Sequence, residues 1–481
     1  MTGKEKLGIW GLTAIVFGSV IGSSIFNIAQ NMARAAALGP VILAWLITAV
    51  GVYFLVLVFK HLADARPDLN AGIYQYAQVG YGNYVGFNMA WGYWLCVILG
   101  NVTYIVMLND SLGAFFPVLQ SHSWHMVLFG TVFVWLMFLL VSKGVKSASL
   151  VNNILAVIKF GCLLLIIGVL VVCARVGFFT YDFWGQQSLP PLGTVGDQFS
   201  SCMLVTVWSF LGIEGAVMMS ARARRPSDVG RATRRGFLLA LALYMLVTVL
   251  CFGVMRQPQL ATLPNPSLAY VLDACAGPWA KWFVIVSVIV SLTGGFIAWT
   301  LVCAQTPNQA AAVKILPRQF LHLNSHGMPT YGMIVASCVI TLCLILVKTA
   351  ENVYLAALNL TTLMVLPPYL MSACYFWKLS GKRYTGRVAI VRHRAIAVMA
   401  VAFCLYTLWA GGLKLFMVTS LFYIAGTPFF VMARKQHGAP GPMWSLRGVF
   451  TRPERWIFAA VCLAAAVSLY LIVTGRVRLD S

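Results

Sequence analysis

Long apolar runs separated by short polar segments make up the chain from one end to the other. Most runs approach or exceed the roughly 20 residues of helix that cross a bilayer. The first run continues without a small-residue cleavage site, so it indicates a retained span and not a signal peptide. The pattern predicts thirteen spans, near residues 10–36, 40–59, 84–108, 125–142, 151–174, 198–220, 237–255, 280–304, 331–347, 354–376, 395–412, 415–433 and 456–475. The split at Gly411-Gly412 leaves two or three spans open for the final region.

Composition agrees with an all-α polytopic membrane protein. Of 481 residues, 60% are hydrophobic and only 10% are charged, whereas soluble domains carry about 25% charged residues. The net charge of +22 could suggest a nucleic-acid partner, but Lys and Arg lie in short loops between apolar runs and form no separate basic domain. The twelve Cys include no CxxC pair and the seven His lie in or beside loops, so no metal, cofactor or disulfide framework is expected.

The distribution of basic residues predicts the orientation in the membrane. Most of the 34 Lys and Arg residues fall on one set of span ends, which is the cytoplasmic set by the positive-inside rule. The N-terminus is therefore expected in the cytoplasm. Lys159 lies about 12 Å from the end of its span by helical rise, and Glu214 is the acid that lies well inside an apolar run. Intramembrane charges of this kind are candidates for functional residues.

Two spans are interrupted by small residues. The first break covers residues 18–26 (GSVIGSSIF) and the second break covers residues 208–215 (WSFLGIEG). Unwound backbone is tolerated at membrane depth only where it lines a polar cavity. The breaks lie five spans apart, as expected for two inverted five-helix repeats, with freed N–H groups for a carboxylate and freed carbonyls for an ammonium. The alternative is that these glycines only allow close helix packing.

These residues carry a resemblance to the amino acid–polyamine–organocation superfamily. Residues 22–26 (GSSIF) are similar to its span-one Gly-Ser-Gly-Ile-Phe motif. Further stretches resemble the arginine/ornithine and arginine/agmatine antiporter group within it, namely residues 67–74 (PDLNAGIY), 91–96 (WGYWLC), 100–102 (GNV), 212–217 (GIEGAV) and 367–370 (PPYL). The resemblance implies a leucine-transporter-like 5+5 core with extra C-terminal spans. The corresponding units are residues 1–176, 177–377 and 378–481.

The resemblance also implies which backbone groups bind the two ends of an amino acid. Beside Gly22, the amides of Ser23, Ser24 and Ile25 would bind the carboxylate. Ser24 stands where the family usually has Gly, so its Cβ comes close to that carboxylate. The carbonyls expected to accept from the α-ammonium group are those of Val20, Trp208 and Leu211.

The resemblance also implies a pocket for the substrate's side chain. Asn101 and the carbonyls of Cys96 and Val97 match positions that bind a guanidinium, and Trp299 matches the aromatic lid over it. The remaining wall residues are Trp208, Tyr104 and Thr361. Each aromatic taken alone could instead pack in the core or at the lipid interface.

Three further matches, Glu214, Tyr93 and Tyr369, indicate an inner gate, the alternative being a structural carboxylate. Lys159 matches a lysine that replaces a sodium ion between spans one, five and eight, although a buried lysine could also carry a proton.

The function expected from these residues is exchange of a basic amino acid, arginine first, for ornithine or agmatine. Histidine/histamine exchange and proton-coupled amino acid uptake remain alternatives. An intramembrane enzyme or a channel is disfavoured, because the chain has no HExxH, GxSxG, paired acids or carbonyl filter sequence. The expected partners are amino acid and amine substrates and the lipid of a bacterial inner membrane; a homodimer is left open.

Overall fold

The computed structural model describes residues 8–69, 71–119, 123–187, 191–215, 224–347, 353–442 and 446–474. Within these ranges the chain folds into helices joined by turns and loops. The α-helices are α1 Ile9–Val20, α2 Ile28–Ala33, α3 Leu38–Ala65, α4 Ile73–Tyr81, α5 Asn83–Leu112, α6 Trp124–Ser142, α7 Val145–Cys173, α8 Val176–Phe179, α9 Val195–Ser201, α10 Met203–Trp208, α11 Pro226–Val254, α12 Gln257–Ala261, α13 Ser267–Ala276, α14 Pro278–Ala312, α15 Thr330–Val347, α16 Val353–Arg383, α17 Arg387–Ala410, α18 Leu413–Gln436 and α19 Arg452–Val473.

Among the described residues, ten helices are long and apolar enough to cross a membrane. Three of them, α17, α18 and α19, form the final region. Of the two alternatives left open by the sequence, the helices therefore agree with three C-terminal spans. α17 ends at Ala410 and α18 begins at Leu413, with Gly412 between them at a φ of +88°. That backbone conformation favours glycine, which is why the chain turns there.

Several helices extend beyond the apolar runs that predict them. α14 reaches Ala312 and α16 reaches Arg383, whereas their apolar runs end near residues 304 and 376. Backbone hydrogen bonding continues into the polar ends, where the hydrophobic pattern carries no signal. α4 and α13 are additional helices in loops that the pattern did not predict. The end of the predicted sixth span, residues 216–220, lies outside the described residues.

α5 forms the centre of the bundle. Its most apolar stretch is completely buried, and α14, α15, α16 and α18 pack around it. Glycines let neighbours approach closely: a methyl group added at Gly92 would overlap the Tyr423 hydroxyl of α18. In contrast, α19 packs chiefly against α18 and leaves most of its surface outside the bundle. The helix that carries Tyr93, Asn101 and Tyr104 is therefore enclosed by other helices.

Candidate functional site

The first break is a true interruption of the helix. α1 ends at Val20, a single 3-10 turn covers Ser24–Phe26, and α2 begins at Ile28. The last carbonyls of a helix have no partner inside it. The groups that satisfy these carbonyls therefore decide what the break can bind.

Side chains from two other helices satisfy the carbonyls at the end of α1. Lys159 of α7 donates from Nζ to the Ile21 carbonyl at 2.8 Å and to the Gly18 carbonyl at 3.3 Å. Tyr244 of α11 donates its hydroxyl hydrogen to the Val20 carbonyl at 3.0 Å. Lys159 is 6% exposed, and a cation at the C-terminal end of a helix also interacts favourably with the helix dipole.

The amides that follow the carbonyls are less engaged. In the described part of the chain, the backbone N–H groups of Ser23, Ser24 and Ile25 make no hydrogen bond to another backbone group. These three are the amides that the resemblance assigns to a carboxylate. The Ser23 side chain lies 3.5 Å from the Tyr354 hydroxyl.

The second break satisfies its own backbone through successive tight turns. The Leu211 amide donates to the Trp208 carbonyl at 3.1 Å, and the Gly215 amide donates to the Gly212 carbonyl at 2.9 Å. Gly212 has a φ of +100°, which a side chain would strain. The Ser19 hydroxyl also donates to the Gly212 carbonyl, at 3.0 Å, so the two breaks are in direct contact.

Glu214 accepts hydrogen bonds from two phenols. Tyr93 of α5 donates to Oε1 and Tyr369 of α16 donates to Oε2, each at 2.6 Å. The carboxylate is 1% exposed, and each of its oxygens has a short hydrogen bond of the kind that a charged acceptor favours. The structure thus brings the three predicted gate residues together, tying the second break to α5 and α16.

Tyr104 lies between the first break and α14. A methyl group at Gly22 would overlap the Tyr104 hydroxyl, and one at Gly295 would lie 2.6 Å from Tyr104 Cε1. The hydroxyl lies beside the Ser23 amide and the indole of Trp299. Tyr104 can take this position only because both glycines lack a side chain.

Trp208 and Thr361 lie together on another face of α5. A Cβ at Gly100 would contact the Trp208 ring at 3.5 Å and the Thr361 methyl group at 3.9 Å. The Thr361 hydroxyl donates to the Ala357 carbonyl of its own helix at 2.7 Å. Thr361 therefore presents its methyl group toward Gly100, beside the Trp208 ring, and Leu211 follows Trp208 in the second break.

Asn101 has a buried amide with no partner. It is 1% exposed, and neither its Oδ1 nor its Nδ2 has a hydrogen-bond partner among the described residues. It lines a small cavity with Thr300 and Ser337, where about one water molecule could be held. Cys96 and Val97 lie inside the continuous helix α5, so each carbonyl has only its second lone pair left for a ligand.

Residues 257–267, which include α12, hold α2, the second half of the first span. Asn27 donates to the Asn265 side chain at 2.7 Å and accepts from the Ser267 amide at 2.8 Å. The Gln257 side chain donates to the Ala33 carbonyl at 2.6 Å, and Gln30 donates to the Leu263 carbonyl. These contacts fix the position of α2 and hence of the second side of the first break.

Three residues of the site were missed by sequence reasoning. Tyr244, Tyr354 and Gly295 each contact the first break or Tyr104. A signal existed for two of them. Tyr244 is a lone tyrosine in the middle of an apolar run, where a phenol needs a partner, and Gly295 belongs to a Gly-Gly pair within a span.

Sixteen of the seventeen predicted site residues are buried, and Gly22 is half-buried. Of the predicted residues on other helices, Lys159 of α7 and Tyr104 of α5 directly contact the first break, whereas the cavity beside Asn101 is lined by residues of α6, α14 and α15. Among the described residues, no three His, Cys, Asp or Glu side chains lie together in a group that could hold a metal ion. The arrangement offers backbone N–H groups, aromatic faces and one amide, which are the groups that bind a small zwitterion or cation.

Comparison with known proteins identifies the family. The amino acid permease family model matches residues 7–451. The chain is 38% identical to an arginine/ornithine antiporter of Pseudomonas aeruginosa, over 99% of each protein. It is 36% identical to arginine/agmatine antiporters of Chlamydia pneumoniae, over 99% of each, and of Chlamydia caviae, over 99% of this chain and 98% of that protein. The chain is therefore a multi-pass membrane protein of the amino acid permease family, within the amino acid–polyamine–organocation superfamily.

Proposed function

We propose that this protein exchanges a basic amino acid, arginine first, for a related amino acid or amine such as ornithine or agmatine. The observation that carries the proposal is its full-length similarity to antiporters whose names specify arginine with ornithine or agmatine. The site would alternate between the two sides of a bacterial inner membrane, with the N-terminus in the cytoplasm as the Lys and Arg distribution favours. Transport of this kind needs no covalent chemistry on the substrate.

The substrate's α-carbon groups would bind at the first break. Its carboxylate would accept from the amides of Ser23, Ser24 and Ile25, which donate to no backbone group in the described residues. Its ammonium group would approach the carbonyls of Val20, Trp208 and Leu211. The Val20 and Trp208 carbonyls already accept one hydrogen bond each, and each oxygen has a second lone pair for the ammonium.

The distal cation would lie between the aromatic residues and Asn101. An unpaired charge in a membrane interior costs several kcal/mol, and Trp299, Trp208 and the free Asn101 amide provide two indole faces and an acceptor. The predicted pocket has no carboxylate aimed at the distal end. It could therefore release a guanidinium or ammonium on either side, as an exchanger must.

Lys159 would serve as a fixed cation at the first break. Its ammonium group holds the carbonyls of Gly18 and Ile21, so no coupling sodium would be needed there. Glu214, with Tyr93 and Tyr369, would form the inner gate. The repeat boundary near residue 176 and the extra region from residue 378 complete the proposed 5+5 architecture, and a homodimer is compatible with the largely uncovered face of α19.

A second candidate is proton-coupled uptake of amino acids. The observation that favours it is the buried Glu214 carboxylate, a group that could bind a proton between the two phenols. Histidine/histamine exchange is the alternative substrate pair, because the aromatic pocket would also accept an imidazole.

Counterflow separates these functions. Purified protein in liposomes preloaded with arginine, ornithine, agmatine, histamine, putrescine or buffer alone is given external labelled arginine. Exchange predicts uptake only into liposomes that hold a basic counter-substrate. This uptake should not require sodium. Uptake into buffer-loaded liposomes on imposing a proton gradient would favour proton coupling. Uptake that histamine supports better than ornithine or agmatine would favour the histidine/histamine pair.

A further inference from the structure

Tyr244 of α11 occupies the carbonyl that the proposed function reserves for the substrate's ammonium group. Its hydroxyl lies 3.0 Å from the Val20 carbonyl and 2.6 Å from Ser24 Oγ. The side chain is 0% exposed. A residue more than 200 positions along the chain thus contacts both the carbonyl side and the amide side of the first break.

The direction of these hydrogen bonds follows from donor counting. A carbonyl can only accept, so Tyr244 must donate its single hydrogen to Val20. Ser24 must then donate to the Tyr244 oxygen. The result is an ordered chain from Ser24 through Tyr244 to Val20, and it satisfies the Val20 carbonyl without any substrate.

Aromatic packing keeps the Tyr244 hydroxyl in place. Trp45 of α3 stacks on the ring at 5.8 Å between centroids, with 20° between the planes. Phe210 of the second break packs edge-on against the same ring at 6.1 Å. Because the ring is held on two sides, the phenol stays beside Val20 and also connects the first break with the second.

We propose that Tyr244 is a positioning residue whose hydroxyl takes the place of the substrate's ammonium group at the Val20 carbonyl when the site is empty. This inference rests on the proposed function. A buried carbonyl that lacks a donor is costly, whereas one that already accepts a hydrogen bond gains less from another. The phenol therefore lowers the gain in free energy when substrate binds, and it keeps the Val20 carbonyl hydrogen-bonded after substrate leaves. It keeps binding reversible at a site that must release substrate on both sides.

Tyr244→Phe removes the hydroxyl and retains the ring. In arginine counterflow, we expect KM to fall roughly tenfold and kcat to fall by a similar factor, because one hydrogen bond to a buried carbonyl is at stake. Agmatine should show the same fall in both KM and kcat. Agmatine is decarboxylated arginine and keeps the former α-ammonium group, which is where the effect lies. A merely structural role would lower kcat and leave KM unchanged or raised, and that result would overturn the inference.

The matched control is Tyr84→Phe. Tyr84 is also 0% exposed and its hydroxyl lies 3.4 Å from Thr427 Oγ1, between α5 and α18 and away from the first break. Removal of the Tyr84 hydroxyl should leave the KM for arginine unchanged. A Tyr84→Phe protein that lowered KM as much as Tyr244→Phe does would contradict a specific role for Tyr244.

A second substitution covers the case in which Tyr244→Phe fails to fold. 3-Fluorotyrosine at position 244 keeps the shape of the side chain and makes the phenol a stronger donor, so KM for arginine should rise. A fall in KM, or no change, would count against the inference. If the unmodified protein shows no arginine counterflow, the proposed function fails together with the inference. If it exchanges arginine but neither change moves KM as expected, only the role of Tyr244 fails.

Discussion

The two helix breaks differ in how their backbone is satisfied. At the first break, the carbonyls of Gly18, Val20 and Ile21 accept hydrogen bonds from side chains of two distant helices. At the second break, backbone turns satisfy the chain locally, and the distinctive contacts are made by side chains, above all Glu214.

This difference indicates a division of roles. Backbone that depends on outside donors can exchange those donors for groups of a substrate, so the first break is suited to binding. Backbone that satisfies itself can move as a unit, so we assign the proposed wall residue Trp208 and the proposed gate residue Glu214 to a moving second break. The Ser19–Gly212 hydrogen bond joins the two, which offers a route by which occupancy of one could affect the other.

The largest effect is expected from removing the cation of the first break. Lys159→Met keeps most of the side-chain volume but leaves the Gly18 and Ile21 carbonyls without their donor, at about 1–3 kcal/mol each. Arginine exchange should fall at least roughly 100-fold, while replacing sodium by choline should not affect the unmodified protein. Lys143→Met, at the exposed end of α6, is the control. A sodium requirement in the unmodified protein would contradict the fixed-cation role.

The next largest effect is expected from adding a methyl group at Gly22 in the first break. Gly22→Ala places a methyl group against Tyr104, whose ring cannot retreat because it lies against Gly295. Overpacking of this kind costs about 1–3 kcal/mol, or roughly 5- to 150-fold in arginine affinity. Gly18→Ala is the matched control, since its added methyl group meets nothing within 4 Å. Equal loss of binding in both variants, measured with labelled arginine, would show that the position of Tyr104 does not matter.

Glu214→Gln tests the second break. Each phenol now donates to a different carboxylate oxygen, so in the glutamine variant one of them would face the amide NH2 group, which cannot accept a hydrogen bond. We expect kcat for exchange to fall roughly 10- to 100-fold with little change in equilibrium binding. Exchange at the full rate would mean that the cluster is only structural scaffolding. Glu454→Gln, whose carboxylate caps α5 and α19 instead, controls for the loss of a buried carboxylate.

The smallest effect concerns the pocket wall. Trp299→Leu should weaken the binding of arginine and ornithine by the cation–π contribution, about 0.5–2 kcal/mol, or roughly 2- to 30-fold in affinity. Trp279→Leu, an exposed residue of the same helix, should have no effect on competition against labelled arginine. If leucine or glutamate displaces labelled arginine as effectively as ornithine does, the case for a basic substrate is removed.

Sequence reasoning located the long apolar helices and both breaks for physical reasons. Apolar runs mark the length that crosses a bilayer, and runs of small residues mark backbone that can unwind. The clustering of Glu214 with Tyr93 and Tyr369 came from the family resemblance, and their distances follow from the structure. The roles of these residues stay predictions.

Partners across long sequence separations could not be predicted. Val20 and Tyr244 lie in separate apolar runs, and nothing in either run specifies that the two helices meet. The same holds for Tyr104 and Gly295, whose contact depends on the packing of α5 against α14. Helix ends such as Arg383 were missed because hydrogen bonding continues where hydropathy falls.

Equilibrium binding of labelled arginine to purified Gly22→Ala and Glu214→Gln proteins, beside the unmodified protein in sodium-free buffer, tests the division between the two breaks most directly. The predicted result is weakened binding by Gly22→Ala and near-normal binding by Glu214→Gln, although both exchange slowly. Near-normal binding by Gly22→Ala together with lost binding by Glu214→Gln would contradict the assignment of the substrate to the first break.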